Sequence, residues 1–124
     1  GLTPLARIVG YAGAAQAPEW FTTAPAKAMD NAAAKLGLKL ADIDLFEINE
    51  AFAVVSMVCA DQCKIDRERV NVRGGAVALG HPIGASGARI LTTLVHSMIQ
   101  RDKKRGLATL CIGGGEALAV VVER

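Results

Sequence analysis

The apolar positions along the chain switch between two spacings. Residues 5–14 (LARIVGYAGA) form a short apolar run that predicts a strand. Thr22 and Thr23, followed by Pro25, mark a helix start, because proline's missing N–H costs nothing in a first turn. Ala26, Met29, Ala33 and Leu36 then repeat at helical spacing, and Gly37 supplies the stop. Residues 43–48 (IDLFEI) predict a second short strand, and residues 51–63, rich in Ala, Val and Met, a second helix. A brief strand at residues 70–72 precedes a glycine-rich stretch over 74–87. Ser86 can cap a long third helix with Ile90, Leu91, Leu94, Val95 and Met98 on one face. Residues 107–112 and 117–122 are closing strands around Gly113-Gly114-Gly115, which reads as a hairpin turn. The order β-α-β-α-β-α-β-β predicts an α/β fold: a mixed five-stranded sheet with helices on both faces. Its strands are parallel except for an antiparallel edge supplied by the last hairpin.

Composition narrows the class. The 124 residues suit one compact domain. With 52% hydrophobic and 21% charged residues a core can form and disorder is not expected, and only 4% aromatics leaves aliphatic side chains to fill that core. A formal charge of +2, with Lys and Arg scattered, argues against nucleic acid as a partner. No apolar run approaches the roughly 20 residues that span a bilayer, so no membrane partner is expected. Residues 1–10 carry Arg7 and no cleavage-site pattern, so no signal peptide is read. Three cysteines, Cys59, Cys63 and Cys111, do not make a secreted disulfide framework. A reducing cytoplasm, or an organelle matrix, fits best. The start Gly1-Leu2-Thr3-Pro4 has no initiator Met and leads at once into a strand pattern, as in a fragment of a longer protein, although a processed or tagged start looks the same.

Three predicted loops leave strands where open α/β sheets gather functional groups, beyond the strand carboxyl ends. Asn49 follows the second strand, His81 lies after residues 70–72, and Cys111 precedes the triple glycine. In Gly80-His81-Pro82-Ile83-Gly84, Pro82 pushes His81 toward extended backbone, and the glycines admit close approach by other backbone or a ligand. A structural histidine in a tight turn and a functional one both fit this pattern. Cys111 is equally open: a small buried hydrophobe, or a reactive thiol beside bare N–H groups able to face an oxyanion. Asn49 reads by propensity as a helix N-cap, its functional alternative being to hold a water or donate to a thioester oxygen. Glu50 reads as a first-turn helix residue. Cys59 and Cys63 share a helical face without further ligands, so packing is expected and no metal site. His96, in mid-helix, reads as structural. Neither a Walker A nor a dinucleotide glycine pattern occurs.

Taken together, Asn49-Glu50-Ala51-Phe52, the stretch from Asn71 to Arg89 (NVRGGAVALGHPIGASGAR) and Cys111-Ile112-Gly113-Gly114-Gly115 resemble the thiolases, the acetyl-CoA acetyltransferases and 3-ketoacyl-CoA thiolases. Their order and spacing match the carboxyl-terminal half of that family over nearly the whole chain. The resemblance implies an acyltransferase that makes or cleaves a carbon–carbon bond beside a coenzyme A thioester, through an acyl-enzyme intermediate, with coenzyme A thioester as substrate and no permanently bound cofactor. It implies that His81 activates the nucleophilic cysteine and, with a water held by Asn49, stabilises the enolate oxygen. Cys111 moves the α-carbon proton, with a pKa near the ordinary thiol value of about 8.5. The Gly113 N–H binds the acyl-enzyme oxyanion, and Phe52 lines the pantetheine tunnel. The nucleophilic cysteine belongs to the N-terminal thiolase half, so the isolated chain is expected to be inactive and one apolar face, on helix 51–63 or 86–101, uncovered. A homodimer or homotetramer is expected of the whole enzyme. Phe21 stands where biosynthetic members often carry Met, and Glu116 where Met or Gly is common, which leaves acyl preference open. The alternative implied function is a non-catalytic acyl-CoA- or lipid-binding protein of the same fold.

Overall fold

A computed structural model describes residues 1–124. Its elements are β1 (Arg7–Ala15), α1 (Ala24–Lys35), β2 (Leu45–Ile48), α2 (Ala53–Gln62), the single-turn α3 (Ala76–Leu79), α4 (Ser86–Gln100), β3 (Arg105–Cys111) and β4 (Glu116–Glu123). The fold is α/β with helices on both faces of the sheet, as expected, but the sheet has four strands rather than five, in the order β1-β4-β3-β2.

Residues 70–72 do not become a strand. Val70 makes one parallel bridge to Phe46, and Asn71 then turns away in a left-handed conformation at φ 47°. Its side-chain amide takes over the pairing: Nδ2 donates to the Ile48 carbonyl and Oδ1 accepts the Ile48 N–H, each at 2.9 Å. An asparagine thus closes the β2 edge, where a row of open amides would otherwise invite pairing.

Nor does the last hairpin form the sheet edge. β4 lies between β1 and β3 and is antiparallel to both, and only β2 and β3 run parallel. β1 pairs with the end of the chain, where Arg7 and Glu123 are 116 positions apart and joined by a hydrogen bond.

The two faces have separate cores. Phe46, Ile48, Leu107 and Val121 pack with Met29 of α1 and Val55 of α2. On the other face Leu45, Ala108 and Val122 pack with Ile90, Leu94 and Met98 of α4. Each large apolar side chain so buried contributes about 1.5–3 kcal/mol. Gly106 allows α4 its close approach, since a Cβ there would lie 2.5 Å from Met98 Sδ and 2.9 Å from Leu94 Cδ1. α4 packs on β2 and β3. Over β1 and β4 the same face stays open: Ile8 and Tyr11 are 61% and 65% exposed and border a hollow of about 420 Å³ with Ile90 and Leu91. The uncovered apolar surface therefore belongs more to the sheet than to helix 86–101, although Val54 and Met57 of α2 are exposed as well.

Gly115 closes the β3–β4 hairpin at φ 100°, and a Cβ there would strike the Gln16 carbonyl on the segment leaving β1. Gly115→Ala is expected to destabilise by about 2–3 kcal/mol, or ~10 °C in Tm by thermal unfolding. Gly113→Ala, with open space around its position, serves as the control and should leave Tm within about 2 °C.

Candidate active site

Because β2 and β3 are parallel, their carboxyl ends lie side by side, and the Asn49 N–H donates to the Thr109 carbonyl at 2.9 Å. Asn49 leaves the end of β2 at this rim, and Cys111 is the last residue of β3. Asn49 is not a helix cap. α2 begins only at Ala53, with Phe52 before it and no side-chain cap bond. The Asn49 side chain is instead fully buried and directed at His81, with Nδ2 3.5 Å from Nε2.

His81 is half-buried in the loop between α3 and α4. Its Nδ1 lies 2.5 Å from Ser86 Oγ, and that hydroxyl donates to the Pro82 carbonyl at 3.2 Å. Ser86 is therefore the first residue of α4 and the support of the imidazole, while Ala85 occupies the cap position without a side-chain bond. Because the Ser86 hydroxyl is committed to the Pro82 carbonyl, it accepts from Nδ1–H, and Asn49 Nδ2 meets Nε2 only at the long limit of 3.5 Å. Nε2 is thus the ring nitrogen on the Asn49 side, away from Ser86.

Cys111 shares the rim but not the contact. Its side chain is buried in the core cluster with α1 and α2, and no hydrogen bond joins it to His81 or Asn49. Burial pushes its thiol above the ordinary range rather than leaving it there, so it is held protonated at neutral pH. Cys59 and Cys63 pack along one side of α2, with Sγ atoms 3.5 Å from the Thr22 carbonyl and 3.8 Å from the Ala26 carbonyl. Burial raises them to about 12 and about 11, values of inert thiols. No group of three or more His, Cys, Asp or Glu side chains is arranged to hold a metal.

In the β3–β4 turn the Gly115 N–H donates to the Ile112 carbonyl, whereas the N–H groups of Gly113 and Gly114 make no backbone hydrogen bond and are exposed. They are available donors for an oxyanion. Phe52 is 59% exposed and meets Phe21 edge to face, with ring centres 6.1 Å apart at 67°. Glu50 is not a first-turn residue of α2, which starts beyond it. Its Oε2 accepts the Val77 N–H of α3 at 3.0 Å and Oε1 takes Ser56 Oγ at 3.4 Å, so it anchors the glycine-rich segment that carries His81. His96 is exposed on α4, and its ring makes no hydrogen bond.

Two functional candidates escaped the sequence reading, Glu47 and Arg89. The available signal was an acidic residue enclosed by the apolar residues of LFEI, residues 45–48. Glu47 is 1% exposed, and its Oε2 lies 3.6 Å from Arg89 Nη1 of α4. Its carboxyl is pushed up to about 7, first by burial, with Arg89 opposing, Glu50 adding and Arg73 opposing. The folded value lies above the ordinary 4.5, so the stability contributed by the retained proton is full below pH 4.5 and is lost as pH rises through about 7. Glu47→Gln removes this dependence. Relative to the parent, its unfolding free energy should rise by about 3 kcal/mol between acid and mildly alkaline pH, measured by urea titration at each pH.

Comparison with known proteins sets this rim in context. Residues 2–124 match the family model described as "Thiolase, C-terminal domain". The chain is 57% identical over 124 residues to the acetyl-CoA acetyltransferase of Escherichia coli (strain K12), covering 100% of this chain and 32% of that protein. It is 51% identical to a cytosolic acetyl-CoA acetyltransferase of Mus musculus, covering 99% of this chain and 31% of that protein. Among solved structures, a thiolase of Ascaris suum in complex with coenzyme A superposes with a TM-score of 0.94 at 48% identity, over 99% of this chain and 32% of that one. The acetyl-CoA acetyltransferase of Bacillus anthracis gives a TM-score of 0.96 at 46% identity, over 99% of this chain and 31% of that one. The chain thus spans about a third of the length of each of these relatives.

Proposed function

Because the chain belongs to the thiolase family, as its C-terminal domain, we propose that it works as the C-terminal part of an acyltransferase moving acetyl or acyl groups between coenzyme A thioesters. The reaction is Claisen condensation to, or thiolytic cleavage of, acetoacetyl-CoA or another 3-ketoacyl-CoA. The observation that carries this reading is the His81 arrangement, with Ser86 on Nδ1 and Asn49 on Nε2. It lies beside the strand edge where β3 ends at Cys111, whose side chain turns to the α1 and α2 face, and the Gly113 N–H follows.

In the cleavage direction the steps follow from these groups. His81 Nε2 takes the proton of a nucleophilic cysteine supplied from outside residues 1–124. The thiolate adds to the keto carbon, and the bond between that carbon and the thioester α-carbon breaks. The electron pair goes into the thioester enolate, whose oxygen is held by His81 and by a water on Asn49. Cys111 gives its proton to the α-carbon, releasing acetyl-CoA, and regains one from the incoming coenzyme A thiol. That thiolate adds to the acyl-enzyme carbonyl, and the bond from the acyl carbon to the enzyme cysteine breaks. The cysteine sulfur takes back the proton held by His81, and the acyl-CoA leaves. A thiol that burial keeps protonated is suited to that donation. The Gly113 N–H holds the oxyanion at the acyl-enzyme carbonyl, a donor of a kind worth about 3–4 kcal/mol. An enolate forms only where its charge is stabilised as it develops, so two such sites are needed. Phe52, braced by Phe21, lines the pantetheine path.

The apolar surface over β1 and β4 is covered in this reading by the N-terminal half of the enzyme. No helix is long and apolar enough to cross a membrane. The cytosol or an organelle matrix, and a homodimer or homotetramer, complete the proposal.

The test is a thiolysis assay with acetoacetyl-CoA and coenzyme A. The full-length enzyme should turn over, and the 124-residue chain alone should show no rate above background. Turnover by the isolated chain, or none by the full-length protein, would overturn the reading.

A further inference from the structure

We propose that Glu47 and Arg89 are positioning residues for the acyl-transfer site: they tie β2, which leads into Asn49, to the first turn of α4, which carries Ser86, and so hold the two groups that orient His81. This rests on the proposed function above. Glu47 and Asn49 are two residues apart, and both are directed to the α4 side, where they meet Arg89 and His81. Arg89 lies three residues beyond Ser86, about one helical turn, and its side chain is 18% exposed.

The pair is badly placed for stability alone. At 3.6 Å its closest approach exceeds a good hydrogen bond, and neither carboxylate oxygen of Glu47, nor Arg89 Nε or Nη1, has a hydrogen-bond partner within the chain. Every other β2 residue is apolar: Leu45, Phe46 and Ile48. A buried pair with unfilled hydrogen-bonding sites is often less stable than apolar residues of similar volume. A strand that keeps one beside a candidate site, against its own local pattern, points to a functional use of the charge. The use follows from the other contacts. Leu45 against Ile90 and Leu94 keeps α4 on the sheet, but apolar contacts are non-directional and leave sliding of the helix unopposed. At pH 8, where Glu47 is ionised, a charge at each end of one tie sets where along β2 the first turn of α4 sits. The further charges facing Glu47 are Glu50, from the loop after β2, and Arg73, from the loop before α3.

The experiment compares the full-length enzyme with its Glu47→Gln, Arg89→Met and Arg89→Lys variants, reading Tm at pH 8, thiolysis kcat and KM, and the imidazole nitrogen NMR signals of His81. Expected for Glu47→Gln is a Tm several degrees above the parent, together with a kcat about 10- to 100-fold lower and a KM within about threefold, since a displacement of about 1 Å at a reacting group costs on the order of 100-fold. Arg89→Met should lose kcat similarly and Arg89→Lys should keep most of it. The His81 signals should move in Glu47→Gln. A kcat unchanged in Glu47→Gln, or kcat and Tm falling together as for a merely structural strut, overturns the proposal. A parent without turnover sinks the acyl-transfer reading instead, and the His81 signals then decide the positioning: movement supports it and no movement rejects it.

Discussion

Replacing His81 by alanine in the full-length enzyme is expected to lower kcat for thiolysis by about 10²–10⁴-fold, with little change in KM. Two jobs are lost at once. Under the proposed function, the Nε2 lone pair no longer accepts the proton of the nucleophilic thiol, and the same nitrogen no longer faces the enolate oxygen. Neither job contributes to holding the pantetheine arm, so substrate binding should survive. Ser86→Ala separates orientation from chemistry. It leaves the imidazole present but removes the oxygen 2.5 Å from Nδ1, so its loss should be clearly smaller. Steady-state rates of the two variants check this, and a His81→Ala enzyme within tenfold of the parent would remove His81 from the mechanism.

Cys111→Ser should be nearly as damaging, again by about 10²–10⁴-fold in kcat, although the side chains are almost isosteric. A serine hydroxyl is a much weaker acid than a thiol, so it donates to the enolate more slowly, and near neutrality it does not ionise to take the α-proton in the exchange direction. The specific readout is exchange of the acetyl-CoA α-hydrogens with deuterated water, followed by NMR. That exchange should fall in step with kcat, and exchange at the parental rate would clear Cys111 of the proton transfer. The raised thiol of Cys111 also has a direction on the pH axis. The alkaline limb of the parental rate should lie above the ordinary thiol range, because the form that donates is the protonated one.

Part of the candidate site was legible in advance because its residues stand beside local signals. The triple glycine after Cys111 and the short strand before Asn49 are near-neighbour patterns that placed those two residues at strand ends, whereas His81, expected after a strand at residues 70–72, comes instead from the loop between α3 and α4. Propensity misassigned the same residues where the chain offered two partners. Asn49 and Ser86 are good helix caps by type, yet Phe52 and Ala85 stand at the cap positions while these two side chains turn to His81. A buried polar group beside a half-buried imidazole gains more from that contact than from capping an accessible helix end that water can also serve. Glu47 went unnoticed because one acid in an apolar strand is indistinguishable from a solvated edge residue until α4 is seen above it.

The amino-acid order alone was enough for the class of fold, the positions of the longer helices, the hairpin turn and the family, since each depends on spacings of a few residues or on short motifs. It was not enough for the sheet. β1 joins the middle of the sheet through β4 at the far end of the chain, and the expected fifth strand yields to a single asparagine side chain. The Asn49–His81–Ser86 contacts and the Glu47–Arg89 tie likewise exist only once β2, β3 and α4 are packed. Such pairings join residues far apart along the chain, and their energies come from burial and hydrogen bonding in the finished core, where no local period can register them.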